Sequence, residues 1–147
     1  MGERLTIGEL ASRTGVAASA LRYWERLGLL PAPERVSGRR SYPPSAAELV
    51  GVVVLLREVG FTLREVKAFL ASRGPAPDGG GWREVYRGKL TELDARIARA
   101  QAARTAIAHG LACPHEDIFD CSHFTGGVAA FLAGATFEEA HEKIHAR

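Results

Sequence analysis

Long hydrophobic runs are missing from this chain. It has no run of roughly eighteen apolar residues, so no membrane-spanning helix is expected. The first residues lack the basic-then-apolar layout of a secretory leader, and the expected location is the cytoplasm. Cysteine is scarce, with two in 147 residues. Two cysteines in a cytoplasmic chain point to free thiols or metal ligands before a structural disulfide. They are too few for an iron–sulfur cluster within one chain, which takes about four. Lysine is scarcer than arginine, 3 against 16. Residues 1–73 hold 11 Lys and Arg against 7 Asp and Glu, a net of +4, and residues 74–147 hold 8 against 10, a net of −2. That asymmetry is modest, and a solvated surface explains most of it. A nucleophile–base pairing is absent too. The triple glycine Gly79–Gly81 has neither the strand nor the lysine of a phosphate-binding loop. No enzyme is expected, no catalytic residue is assigned and no organic cofactor is implied.

The order of motifs in the first 42 residues carries more information. Two short helical patterns flank Thr14-Gly15-Val16. Thr6 and Glu9 have capping-box spacing, and Ile7, Leu10 and Ala11 fall on one helical face. Gly15 supplies the positive φ of a tight turn. The second pattern buries Ala20, Leu21 and Trp24 and leaves Arg22, Tyr23 and Arg26 at the surface. This is a helix-turn-helix layout, whose second helix enters the major groove. Val36 to Tyr42 then reads as a hairpin turning at Gly38, with Arg39, Arg40 and Tyr42 beside the turn. Guanidinium groups there suit phosphate.

In these segments the chain resembles the MerR family of bacterial transcription regulators. The likeness is carried by Leu5 to Leu30, by the Gly38-Arg-Arg-Ser-Tyr42 wing, by Arg57 to Val66 and by the long helix described next. It covers about residues 5–121. One departure is Ala17, where the family has Ser or Thr to cap the recognition helix. A missing cap costs about 1 kcal/mol.

Two further capping boxes, Ser45 to Glu48 and Thr62 to Glu65, open helices over about 45–58 and 62–72. Leu49, Val53 and Leu56 face inward on the first, and Leu63, Val66, Phe69 and Leu70 on the second. The Gly- and Pro-rich stretch 74–81 is the one linker. A helical pattern follows from Trp82 to about Gly110, a rod of roughly 40 Å. Its apolar seam is Tyr86, Leu90, Leu93, Ile97, Ala100, Ile107 and Leu111, with Arg104 interrupting. Steps of four and three over four heptads indicate a coiled coil. The resemblance implies an antiparallel homodimer. Gly88 is a weak point near the rod's start. In the tail, Phe124, Val128, Phe131 and Leu132 mark a helical turn, and Thr136 to Glu139 caps a last helix bearing Phe137, Ala140 and Ile144.

The rod stops at Pro114. Cys113-Pro-His115 and Cys121-Ser-His123 bracket a loop made acidic by Glu116, Asp117 and Asp120. Two thiolates and two imidazoles suit tetrahedral Zn(II), and two thiolates alone suit Cu(I). The loop is similar to that of the family's copper and mercury sensors, and the cysteine spacing matches the copper branch. The divalent sensors add a cysteine at the start of the partner's rod, and Gly79 to Glu84 has no thiol or imidazole. The other reading keeps both cysteines as small packed hydrophobes. His141 and His145 share a helical face without a third ligand, and His109 suits the negative end of the helix dipole.

The expected architecture is therefore mostly α. A winged helix-turn-helix DNA-binding domain (1–73) is followed by a linker (74–81), an antiparallel coiled-coil dimerisation helix (82–111) and a sensing loop with a short helical tail (112–147). DNA contacts are expected from Arg22, Tyr23, Arg26, Arg39, Arg40 and Tyr42. Cys113, Cys121, His115 and His123 are the candidate ligands for Cu(I) or Zn(II). The expected function is a homodimeric regulator on a pseudo-palindromic promoter operator, with RNA polymerase as a partner through the resemblance and no membrane partner. The alternatives are an organic inducer with a structural cysteine loop, or a metal-buffering protein.

Overall fold

The computed structural model describes residues 3–74 and 80–145. Most of the expected linker, 75–79, lies outside the described residues. The chain divides into two compact units, Met1–Lys89 and Leu90–Arg147.

In the first unit, α1 (Ile7–Thr14) begins at the expected capping box. The Glu9 amide donates to Thr6 Oγ1 at 3.2 Å and the Thr6 amide donates to Glu9 Oε2 at 2.7 Å. The Thr6 amide first, then the Thr6 hydroxyl donating to the same oxygen at 2.9 Å, hold the Glu9 carboxyl below its usual value. Gly15, at φ 71°, ends α1 by donating its amide to Ala11. The next helix, α2 (Ala18–Arg26), starts at Ala17 with no side-chain cap. Strands β1 (Glu34–Val36) and β2 (Arg39–Ser41) form the hairpin. They pair antiparallel in the register Glu34 to Ser41, Arg35 to Arg40 and Val36 to Arg39. Both turn residues, Ser37 and Gly38, have positive φ (51° and 78°), the geometry that matches strand twist in a two-residue hairpin.

Helix α3 (Ser45–Glu58) corrects one expectation. Its N-cap is Pro44, with φ −54° and ψ −33°, and no side chain caps it. Proline's ring presets a helical φ, so the helix starts one residue early. Ser45 then lies inside the first turn, where it cannot adopt the extended N-cap conformation that the Ser45–Glu48 box requires. Helix α4 (Leu63–Ala71) does begin at its expected box, Thr62 with Glu65.

Two clusters make the core of this unit. Leu5, Leu10, Leu21, Leu30, Tyr42, Ala46 and Val50 form one. Leu29, Val53, Leu56, Phe61 and Val66 form the other. Trp24 packs against both and is half-buried, as is Ala20. The first turns of α5 (Gly81–Leu111) close this unit. Tyr86 stacks on Phe69 at 5.3 Å and meets Phe61 at 5.7 Å, so the first seam position is spent within the chain. Lys89 is 5% exposed and pairs with Glu65 at 2.9 Å. The same Glu65 oxygen accepts the Thr62 amide at 2.7 Å. Lys89 first, and Thr62 second, pull the Glu65 carboxyl below its usual value.

The second unit holds the rest of α5, a 3₁₀ turn at Ile118–Asp120, α6 (Ser122–Leu132) and α7 (Phe137–His145). The seam residues Leu90, Ile97, Ile107 and Leu111 are exposed. Gly134, at φ 95°, allows the turn between α6 and α7. Thr136 and Glu139 cap α7 reciprocally at 2.9 and 3.2 Å. Among the described residues no helix is long and apolar enough to cross a membrane.

Candidate functional site

The first candidate surface is built on α2 and the hairpin. Arg22, Tyr23 and Arg26 are all exposed on α2. The Arg26 guanidinium lies 5.7 Å from the Tyr23 ring centroid, a cation–π contact that orders two otherwise mobile side chains. Arg39 is exposed and Arg40 half-buried on β2. Tyr42 corrects an expectation, because its side chain is in the core and not beside the turn. It is 0% exposed, and its backbone bridges Leu5 through two 2.8 Å hydrogen bonds. Its hydroxyl donates to Glu25 Oε2 at 2.7 Å. Burial, then the Glu25 bond, push its pKa up to about 12. The cause is the antiparallel bridge to Leu5, which takes the chain out of β2 and puts Tyr42 in the core cluster with Leu5, Leu10 and Leu21. Tyr42 therefore cannot reach a phosphate.

Three groups here escaped the sequence. Glu25 faces Arg40 Nε at 3.6 Å while accepting from Tyr42, and so links α2 to the hairpin. Arg4 reaches the hairpin too, donating to Ser41 Oγ at 2.7 Å and to Ser41 O at 2.8 Å, and pairing with Glu34 at 3.3 Å. Arg35 sits cross-strand from Arg40 and is exposed. The alternation of the strand gave the Arg35 signal. The other two depend on tertiary contacts 37 and 17 residues apart.

The second candidate is the loop after α5. The donor atoms of Cys113, His115 and Cys121 all lie within 4.8 Å of one another. Two sulfurs on opposite sides of one ion at 2.3 Å would be about 4.6 Å apart, so this set fits a soft or borderline metal. Cys121 is the N-cap of α6 and buried, and its side chain makes no cap hydrogen bond. The Phe124 amide first, then the Cys113 thiol and the His123 amide, draw its pKa down against the opposing effect of burial. Asp117 is occupied in the turn itself, accepting from the Phe119 amide at 2.9 Å.

His123 departs from the expected ligand set. Its ring lies 5.9 Å from that of His109, and His109 lies 6.3 Å from His141. One residue explains this: Cys121 caps α6, so His123 falls in the first helical turn while His115 stays in the loop. His109, His123 and His141 line a cavity of about 630 Å³. Cys113, Cys121, Phe124, Val128 and Phe131 are also on its wall. His141 thus faces His109 and stacks on Phe137.

Residues 5–73 match the family described as MerR HTH family regulatory protein, and residues 48–110 match the one described as MerR, DNA binding. The chain is 41% identical over 68 residues to the mercuric resistance operon regulatory protein of Bacillus cereus, covering 46% of this chain and 52% of that one. It is 32% identical over 113 residues to an HTH-type transcriptional activator, the SoxR homolog of Chromobacterium violaceum, covering 74% and 75%. It spans about half the length of several of the curated relatives it matches, 42 to 52%. A Ralstonia metallidurans transcription regulator, solved in complex with lead(II), shares the fold with a TM-score of 0.65 at 19% identity, over 77% of this chain and 90% of that one. With two overlapping family matches that together run from residue 5 to residue 110, over the helix-turn-helix, the hairpin and nearly all of the long helix, and a 32% identical relative covered to 75%, this chain belongs to the MerR family.

Proposed function

We propose that the chain is a DNA-binding transcription regulator, a homodimer on a pseudo-palindromic promoter operator that responds to a metal ion or thiol-reactive signal at the Cys113–Cys121 loop. The observation that carries the DNA half is the exposed row Arg22, Tyr23 and Arg26 on α2 beside Arg39 on the hairpin. On this reading residues 1–73 bind DNA, α2 reads base edges, and Arg39 and Arg40 hold phosphate. Tyr42 serves indirectly, by fixing Glu25 and through it Arg40. Residues 82–111 make the dimer through the exposed stripe of α5, with RNA polymerase the further partner. Residues 112–147 sense the signal.

For the effector, the three-donor cluster supports a soft or borderline ion. The name of the Bacillus cereus relative concerns mercuric resistance, and that likeness covers 68 residues. Cu(I) on the two thiolates is the finer reading, and Zn(II) would require a further donor beyond Cys113, His115 and Cys121. When bound, the ion supplies Lewis acidity that keeps both thiols deprotonated. The chain's own part is to present two sulfurs and one imidazole from a loop pinned by Asp117 and by the start of α6.

Promoter binding across a salt series tests this. Wild type should prefer one operator and lose affinity steeply with salt. Arg22→Ala should cost about 1–3 kcal/mol of operator affinity, with relaxed specificity. A metal-buffering protein would show no preferred site and no effect of that change. Transcription in vitro with and without metal, on wild type and Cys113→Ser with Cys121→Ser, tests the sensing half. An identical response from both proteins would reject it.

A further inference from the structure

We infer that the preferred effector is an organometallic cation: a soft metal bearing one alkyl or aryl group, with the metal on Cys113 and Cys121 and the organic group in the adjoining cavity. This deepens the proposed function and rests on its reading that the cysteine pair holds a soft metal. The key observation is that the two sulfur-bearing residues belong to two places at once. Both are in the donor cluster with His115, and both line the cavity, whereas His115 does not. The sulfurs therefore stand on the boundary between a polar donor side and an apolar chamber.

A bare ion would leave that chamber unused. Its volume of about 630 Å³ falls in the range of small-molecule sites, roughly 300–1,000 Å³. Ala106, Ile107, Ile118, Phe124, Val128 and Phe131 give the wall much of its hydrocarbon, and hydrocarbon surface gains by leaving water for such a site. The rings of Phe124 and Phe131 and the imidazoles of His109 and His123 offer an aromatic group edges and faces to pack against. A metal bearing one organic group keeps its metal–carbon bond and has open positions for sulfur. On binding, both thiols give their protons to solvent; one metal–sulfur bond replaces the bond to water or chloride, and the second sulfur adds at an open coordination position of the metal. Nothing is oxidised or reduced.

The test uses the full-length reduced chain and three probes: Hg(II), methylmercury and phenylmercury. Each is measured by competition against a small dithiol, which has the sulfurs and no cavity. Phenylmercury should bind about tenfold more tightly than methylmercury, beyond any preference of the small dithiol itself. Ala106→Leu and Gly110→Leu narrow the chamber. An added Cβ at Gly110 meets no atom within 4 Å, so that variant should fold normally. Both changes should erase the phenyl preference and leave Hg(II) affinity unchanged. If the phenyl-to-methyl ratio equals that of the small dithiol, or survives both variants, the inference is overturned. If the variants instead shift the monomer–dimer midpoint and leave the ratio alone, a second copy fills the cavity and the inference is equally overturned. A distinct result, Hg(II) binding no better to wild type than to Cys113→Ser with Cys121→Ser, would remove the underlying metal reading as well.

Discussion

The two units use their apolar residues in opposite ways. In the first, Leu10, Leu21, Val50, Val53 and Val66 are each 0% exposed. In the second, Cys121 and Ala140 are the buried apolar side chains among the described residues, while Leu132 and Leu111 are 81% and 84% exposed. The first unit completes its core within one chain. The second carries more open hydrocarbon than a free surface keeps without a purpose. Folding information is concentrated in one, and contact information in the other.

The largest effect expected from that contrast is on assembly. Leu93→Lys with Ile97→Lys would put two charges into the stripe of α5, at several kcal/mol of effective cost if a partner helix covers it. Sedimentation should show monomer, with the helical signal of the first unit intact. A variant that stays dimeric would place the dimer contact elsewhere. Next in size is a paired truncation. Leu21→Ala should lower stability by about 2–5 kcal/mol, and Leu132→Ala should stay within about 0.5 kcal/mol. Equal losses in thermal melts would mean that the second unit has a core of its own in solution. The smallest is electrostatic. Glu65→Gln removes the carboxylate that pairs with Lys89 and should cost about 1–2 kcal/mol at neutral pH, allowing for the partial exposure of Glu65. Its folded pKa is depressed from 4.5, so this stability is present above 4.5 and lost as pH falls through the folded value. The gap between wild type and variant should close in acid. A gap constant from neutral to low pH would show that the ion pair contributes nothing.

Local signals were legible in the sequence and tertiary ones were not. The boxes at Thr6, Thr62 and Thr136 could be read because each needs two residues three apart, and all three form. The Ser45 box has the same spacing and fails, because the preceding Pro44 shifts the helix start. Cys113, His115 and Cys121 come together as the loop spacing implied. His123 does not, since one helical turn rotates it toward His109. Tyr42 resembled its arginine neighbours by position alone, and only the bridge to Leu5 reveals that it points inward. Lys89 gave no signal, being one charge in a charged helix until its partner Glu65, 24 positions earlier, is known.

Glu25 has a further consequence for the hairpin. Its carboxylate stands 3.6 Å from Arg40 Nε. On the reading of this chain as a DNA binder, the incoming strand meets a guanidinium with a tethered decoy already beside it. Engaging Arg40 is then an exchange of one oxyanion for another, not a fresh neutralisation. That handicap applies to every backbone alike, so it cancels between one sequence and another. Sites that also engage Arg22 and Tyr23 recover the loss through α2. A carboxylate that lowers affinity for every backbone alike leaves the choice among sequences to α2.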